Sequence, residues 1–372
     1  MKDVTRVVRS GLTGAVSGAP LHRGPVFVST FHTPGDPEVE GYSYGRSHQP
    51  TWTDLERAIG DLEVDGGEPA KVRVFGSGLA AVGAAFGAVL RSGDEVVVQQ
   101  GCYFGARQVL AEMYVPHGVK VRMVGAAELT RAEAFRGARL IWLETPGNPG
   151  LEIADVRAVV RAAKEAGALV AVDNTTATPL GQRPLELGAD LSVCSDSKAM
   201  CGHSDLLMGH VAVRAEELLE KVDRRRTLGG AIVGPMEAWL ALRSLATLPL
   251  RLERMSANAL AIAEFLRGRR EVVEVLYPGL AGHAGHAVAA GQMRYFGPVL
   301  SFTLGSKELA QRFLAGAELV TESTSFGGVT TSAERRARWG GDAVAEGFIR
   351  MSAGLEDAGD LIADLERALD GL

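Results

Sequence analysis

Lys198 stands in "SDSKAMCGHSD", residues 195–205, directly behind the apolar run "ADLSVC". An ammonium at the end of a buried strand is costly unless the charge is paired or the amine is used in chemistry. A second apolar run, "ALVAVDN", ends on Asp173, about one strand–helix–strand step earlier, so the two termini can lie side by side. A lysine that forms a Schiff base with an aldehyde and an aspartate that keeps a pyridine nitrogen protonated are the two protein groups that pyridoxal 5'-phosphate requires. Ser195 and Ser197 flank the lysine with hydroxyls. In "VRVFGSGLAAVGAAF" a strand turns into a helix at Ser77, Gly78 and Leu79, whose amides can face a phosphate at the helix N-terminus. Tyr103, in "QGCYFG", ends another run and offers a ring face for stacking.

Each residue also has a plainer reading. Asp173 can be a cap, Lys198 a surface residue and Tyr103 a core aromatic, and the glycine turn, neither Walker A nor GxGxxG, can serve packing alone. Jointly they fall at strand ends on the side where ligands bind in a doubly wound sheet, which favours the cofactor. Cys194, Cys201, His203 and His210 crowd the same segment, but Cys-x6-Cys-x-His-x6-His is not a zinc spacing, so no metal is expected. A carrier that binds cofactor without turnover would have lost some reactive groups, whereas Lys198, Asp173, Tyr103 and Arg350 are all present.

The elements that must position these residues are legible as alternating runs. "KVRVFGSG", "DEVVVQQ", "VKVRMV", "RLIWLETP", "ALVAVDN" and "DLSVCSD" are short and β-branched, and helix-like segments such as "DVRAVVRAAKEAG" separate several of them. That alternation predicts an α/β fold with a mostly parallel sheet covered on both faces. The 372 residues, 46% hydrophobic, suffice for two domains. Residues 1–50 show no sustained period and read as an arm that wraps the domain or reaches a neighbouring subunit. Residues 51–243 read as the cofactor domain. Residues 244–372 read as a smaller α+β domain, with a long helical stretch, strands "VVEVLYP" and "PVLSFTL" and a final helix "AGDLIADLERAL". The net charge of −6 gives no case for nucleic acid or anionic membrane, and "RRR" at 224–226 reads as a solvated helix face. No signal peptide or membrane span is apparent, and three cysteines fit a reducing, cytoplasmic compartment.

"AVDNTTATPL", "SDSKAMCGHSD" and "GHSDLLMGHV", with "YSYGRSHQPTWTDLERAI", "ETPGNP", "YPGLAGHAGHAVAAGQM" and "FIRMSAGLEDAGDLIADLERAL" in the same order, closely resemble the Cys/Met-metabolism family of pyridoxal-phosphate enzymes. That family has fold type I and includes cystathionine γ-synthase, cystathionine β- and γ-lyases and methionine γ-lyase. The resemblance covers nearly the whole chain and implies a seven-stranded, mostly parallel sheet flanked by helices, with a smaller C-terminal α+β domain. It implies that Lys198 carries the cofactor, that Asp173 pairs with the pyridine nitrogen and that Tyr103 stacks on the ring and assists proton transfer. Asn148, in "ETPGNP", would hydrogen-bond the ring hydroxyl. Gly78, Leu79, Ser195 and Ser197 would hold the phosphate beside Ser77, joined by Tyr44 and Arg46 from a partner subunit. Arg350 would clamp the substrate α-carboxylate, and Ser325 matches a serine of the substrate pocket. A homotetramer, a dimer of dimers with shared sites, is the implied assembly.

The same resemblance implies α,γ-elimination of a small sulfur amino acid. Enzymes acting on cystathionine usually carry Glu before the pocket serine; here that position is Thr324, which removes a carboxylate for the distal ammonium. Glu322, two residues earlier, compensates only if the strand register differs. Phe104, where methionine γ-lyases of the familiar kind have "YGC", would narrow the pocket around an uncharged thioether, and the loop after "SFGGV" is short. The expectation is L-methionine converted to methanethiol, 2-oxobutyrate and ammonia, with cystathionine γ-lyase the second reading and cystathionine γ-synthase the third.

Overall fold

The computed structural model describes residues 2–36 and 41–372. A first sheet is built from β1 (Lys71–Phe75), β2 (Glu95–Gln99), β3 (Lys120–Val124), β4 (Leu140–Glu144), β5 (Leu169–Asp173), β6 (Leu191–Cys194) and β7 (Gly209–Val213). Their order is β1-β7-β6-β5-β4-β2-β3, and only β7 runs antiparallel to its neighbours. Helices cover both faces, so a central strand such as β4 is buried at every residue. Such strands read as continuous apolar runs rather than alternating ones. This is the fold type I architecture that the sequence implies.

Local chemistry sets the helix ends. Ser77 caps the helix Gly78–Val89, its hydroxyl accepting the Ala80 N–H at 3.1 Å. Asp155 caps Val156–Ala166 at 2.9 Å, and Gly167, with φ of 74°, ends it. Two glycines bring the Gly78 helix against the lysine turn. A Cβ on Gly78 would lie 2.5 Å from the Ser195 hydroxyl, and one on Gly209 would meet the Gly78 Cα at 2.7 Å. Side chains at either position would push the helix N-terminus away from residues 195–198.

The second sheet holds β8 (Val272–Leu276), β9 (Val299–Leu304), β10 (Thr321–Glu322), β11 (Ser332–Arg335) and β12 (Phe348–Ser352) in the order β10-β11-β12-β9-β8. The sequence reading named β8 and β9 but not β11 or β12, whose pairing sets Glu334 opposite Arg350. The long helical stretch breaks into Pro235–Leu245 and Leu248–Arg267. In the latter, Leu248 and Leu252 enter the core of the large sheet, while Ala259, Ile262 and Leu266 pack on the small one. No helix among the described residues is long and apolar enough to cross a membrane.

Two details differ from expectation. The N-terminal arm is not wholly irregular, because Asp3–Val8 forms a helix whose Asp3 pairs with Arg183 at 3.0 Å and Arg294 at 2.9 Å. The "RRR" cluster is not a solvated face throughout. Arg224 and Arg225 are exposed, but Arg226 is fully buried, ion-paired to Glu56 and Asp223 and stacked over the Trp52 ring.

Of Cys194, Cys201, His203 and His210, the fold brings Cys194 and His210 together beside Glu63. His203 contacts the Cys201 carbonyl at 2.6 Å, while His210 directs Nδ1 to Asp196 at 2.7 Å and Nε2 to Glu63 at 2.9 Å. Both ring nitrogens facing carboxylates requires an imidazolium. Burial works against that cation, but Asp196 and Cys194 together outweigh it and hold His210 well above the ordinary histidine pKa. This wholly buried trio ties β7 to the turn that carries Lys198 and to the end of the helix Pro50–Leu62. His210→Leu should leave two buried carboxylates unpaired and cost about 3–5 kcal/mol, read as a lower urea midpoint; an unchanged midpoint would contradict the ion-paired assignment.

Candidate active site

The carboxyl ends of β4, β5 and β6, with the N-terminus of the helix Gly78–Val89, open into a cavity of about 640 Å³. Ser77, Gly78, Leu79, Tyr103, Asn148, Asp173, Ser195, Ser197, Lys198, Thr324, Ser325 and Arg350 all line it. These are the expected site residues apart from Tyr44 and Arg46.

The turn after β6 is pinned from several sides. The Ser195 N–H donates to the Thr175 hydroxyl at 2.8 Å. The Ser197 hydroxyl donates to the Met208 carbonyl at 3.1 Å and accepts the Met208 N–H at 2.9 Å. The Lys198 amine projects from this turn with the Ser195 hydroxyl, at 3.5 Å, its one hydrogen-bond partner among the described residues, and the Phe326 ring centroid 5.7 Å away. Burial and then the Arg350 cation push its pKa below that of an ordinary lysine, while Asp173 pulls it up. The amine is thereby available as a nucleophile and base nearer neutrality.

Asp173 is buried at the end of β5, and one carboxylate oxygen accepts the Thr175 N–H at 3.1 Å. No basic side chain among the described residues hydrogen-bonds it, and burial raises its pKa. Glu144 is its register partner on β4. Burial first, then the Asp173 charge, raise the Glu144 pKa well above the carboxylate range. Glu144 accepts the Tyr103 N–H and so fixes the start of the helix Phe104–Met113, where Tyr103 packs edge-on against Phe104 at 5.1 Å. Burial raises the Tyr103 phenol above its usual pKa, partly offset by Arg336.

The opposite wall comes from the small sheet. Arg350 Nη1 donates to Asn148 Oδ1 at 2.8 Å, and its Nη2 donates to the Ser325 carbonyl at 2.8 Å and to Glu334. Ser325 presents that carbonyl from a φ of 75°, a conformation rare outside glycine. Glu334 is fully buried and also accepts from Arg336 Nη1 at 2.7 Å and Trp339 Nε1 at 2.8 Å. Phe104, Phe326 and a half-exposed Trp339 give this cavity its apolar parts.

The donor set fits pyridoxal phosphate. It offers an unpaired buried carboxylate for a ring cation, a desolvated amine for an aldehyde and a glycine-spaced helix N-terminus for a phosphate. Tyr44 and Arg46 do not line this cavity. Tyr44 is half-exposed, and Arg46 lies over its ring while donating to the Thr227 carbonyl at 3.0 Å. Glu322 is exposed and paired with Arg338 at 2.7 Å, so the alternative register that would turn it into the pocket is not adopted. Sequence reasoning missed Glu144, Glu334, Arg336, Phe326 and Trp339. Glu144 sat unassigned in "ETPGNP"; Glu334 and Arg336 carried no signal beyond an unusually arginine-rich run.

Comparison with known proteins agrees with this geometry. The family model described as Cys/Met metabolism PLP-dependent enzyme matches residues 13–370. A Streptomyces coelicolor protein named "Putative cystathionine gamma-lyase" is 52% identical, with 99% of this chain and 93% of that protein covered. A cystathionine gamma-synthase from Mycobacterium bovis is 38% identical over 98% of this chain and 96% of its own length. Among solved structures, apo CalE6 from Micromonospora echinospora, titled a methionine gamma lyase, has a TM-score of 0.91 at 36% identity, with 99% of each chain covered. The chain belongs to the Cys/Met metabolism family of pyridoxal-phosphate-dependent enzymes. It is a pyridoxal-phosphate enzyme of γ-elimination or γ-replacement on sulfur amino acids.

The Lys198 environment yields a pH test. In the apoprotein, acylation of Lys198 should titrate with a midpoint below that of an exposed lysine, because the neutral amine is favoured. Arg350→Gln removes a repelling cation and should move that midpoint to higher pH. A wild-type midpoint at or above that of exposed lysines, or a downward move in the variant, would contradict the electrostatics.

Proposed function

We propose that this member of the family is a cystathionine γ-lyase, converting L-cystathionine and water to L-cysteine, 2-oxobutyrate and ammonia. The observation that carries the reading is the ionic wall facing Lys198, where Glu334 and Arg336 line the cavity beside Arg350. The methyl thioether of methionine would lie against desolvated charges there and satisfy none of them, whereas the charged far end of cystathionine can. The name of the 52%-identical relative supports the same choice. The expectation of methionine rested on Thr324 lacking a carboxylate, on Phe104 and on a short loop; Thr324 and Phe104 do line the cavity, but the neighbouring wall is far from uncharged.

When bound, pyridoxal phosphate supplies the aldehyde that captures amines and the ring that accepts electrons from the substrate. The chain's own residues do the rest. Gly78, Leu79 and Ser195 would hold its phosphate, with Ser77 capping the same helix and Ser197 pinning the turn. Asp173 would hold the proton on the ring nitrogen. Arg350, steadied by its bond to Asn148, would hold the substrate α-carboxylate and so orient the Cα–H toward Lys198. The Lys198 Nζ, a desolvated amine, would take that proton and then carry protons between the side-chain carbons. Tyr103, kept as a phenol by burial, can deliver a proton to the departing sulfur.

We also read Tyr44 and Arg46 as serving a partner's site, with a tetramer of two such dimers as the assembly. Their place outside their own chain's cavity supports this. The three free, buried cysteines support a cytoplasmic location.

Products identify the reaction. Holoprotein given L-cystathionine should form 2-oxobutyrate and cysteine in equal amounts, with L-methionine a poorer substrate. Methanethiol from methionine with little turnover of cystathionine would overturn the substrate choice, and Lys198→Ala should remove all turnover. For shared sites, mixing inactive Arg46→Ala and Lys198→Ala proteins should recover part of the activity; no recovery after demonstrated subunit exchange would refute the shared site.

A further inference from the structure

We propose that Arg336 is the specificity-determining residue that reads the distal carboxylate of the substrate, an inference that rests on the cystathionine reading above. Arg336 belongs to the short turn Arg336–Trp339 that follows β11. It is 6% exposed, yet it lines the cavity that holds Lys198 and Arg350. A guanidinium carries five N–H donors. In Arg336, Nε donates to Asp342 at 3.0 Å, Nη2 donates to the same carboxylate oxygen, and Nη1 donates to Glu334 at 2.7 Å. One N–H on Nη1 and one on Nη2 therefore have no partner among the described residues, although the group is 6% exposed. Unspent donors on a buried cation are costly unless something else accepts them.

The surroundings fix this donor pair. Glu334 Oε1 accepts from both Arg336 and Arg350, so the two guanidiniums flank a single carboxylate oxygen. Trp339 holds Glu334 Oε2 at 2.8 Å, and Arg338 reaches it at 3.4 Å while pairing with Glu322 at 2.7 Å. Behind Arg336, the 341–342 segment is tied to the large domain by Arg107, which donates to the Gly341 carbonyl at 3.0 Å, and by Gly341 lying against the Phe104 ring. With the α-carboxylate on Arg350, the next cation along the same wall is Arg336. A thioether with a carboxylate at each end can engage both, whereas methionine and homocysteine reach only Arg350. Arg336 also stands close enough to lower the pKa of the Tyr103 phenol against burial, the group proposed above to protonate the departing sulfur.

The test pairs a change in the protein with one in the ligand, so that folding defects cancel. Wild-type holoprotein and Arg336→Lys are each assayed on L-cystathionine and on S-(2-aminoethyl)-L-homocysteine, which lacks only the distal carboxylate. Wild type should favour cystathionine in kcat/KM by about 10–100-fold, the range expected for charge-assisted hydrogen bonds. Arg336→Lys should reduce that preference at least about fivefold, since lysine keeps a charge but loses the fork. A wild type that turns over both substrates equally well, or a variant that loses both in equal proportion, overturns the assignment of Arg336. If the variant holds no cofactor, the wild-type preference together with Arg336→Gln gives the same comparison. A wild type inactive on cystathionine instead overturns the reading of the function, and this assignment with it.

Discussion

The structure turns on two desolvated groups of opposite kind, the Lys198 amine and the Asp173 carboxylate, that face one cavity without hydrogen-bonding each other. Pairing them directly would satisfy both and leave a salt bridge with nothing to do. Held apart, each lacks a partner that a pyridinium aldehyde supplies, the carboxylate a ring cation and the amine a carbonyl carbon. The parallel sheet makes this affordable. β5 and β6 are adjacent and end together, so their terminal residues are presented at the same edge while the strands behind them remain apolar. The Asp196–His210–Glu63 trio and the Ser197–Met208 bonds keep the lysine turn from relaxing toward the carboxylate.

The small domain contributes recognition rather than cofactor chemistry. Its β11 and β12 place Glu334 opposite Arg350, and the same carboxylate orders Arg336 and Trp339. A buried carboxylate beside the proposed α-carboxylate clamp is counterintuitive, because it offsets the Arg350 cation. Its effect is geometric: with Nη2 of Arg350 spent on Glu334 and the Ser325 carbonyl, the guanidinium cannot swing away from Asn148. Removing only one member of such a network leaves the others unpaired in a low-dielectric interior, so its parts are coupled rather than additive.

Cofactor chemistry was legible in the sequence, whereas substrate recognition was much less so, for a physical reason. Lys198, Asp173 and the Ser77–Leu79 turn sit at the ends of apolar runs, where a charged or glycine residue breaks the hydrophobic pattern and announces itself. Glu334 and Arg336 break no such pattern. "SAERRARW" reads as an exposed polar stretch, and nothing local says that β12 will pair with it and bury the first glutamate. Arg226 shows the same blindness in another helix, for an arginine run cannot reveal which member finds Glu56 and Trp52. The substrate expectation has the same cause, since Thr324, Phe104 and a short loop are legible in the sequence, while the ionic wall comes from residues about ten positions further on.

The account is tested most directly by locating the cofactor on the chain. Borohydride reduction of purified holoprotein followed by peptide mapping should find pyridoxyl mass on the peptide containing Lys198 and on no other. A stable adduct at a different lysine, or noncovalent cofactor with Lys198 unmodified, would contradict the claim that the fold exists to hold this amine unpaired opposite Asp173.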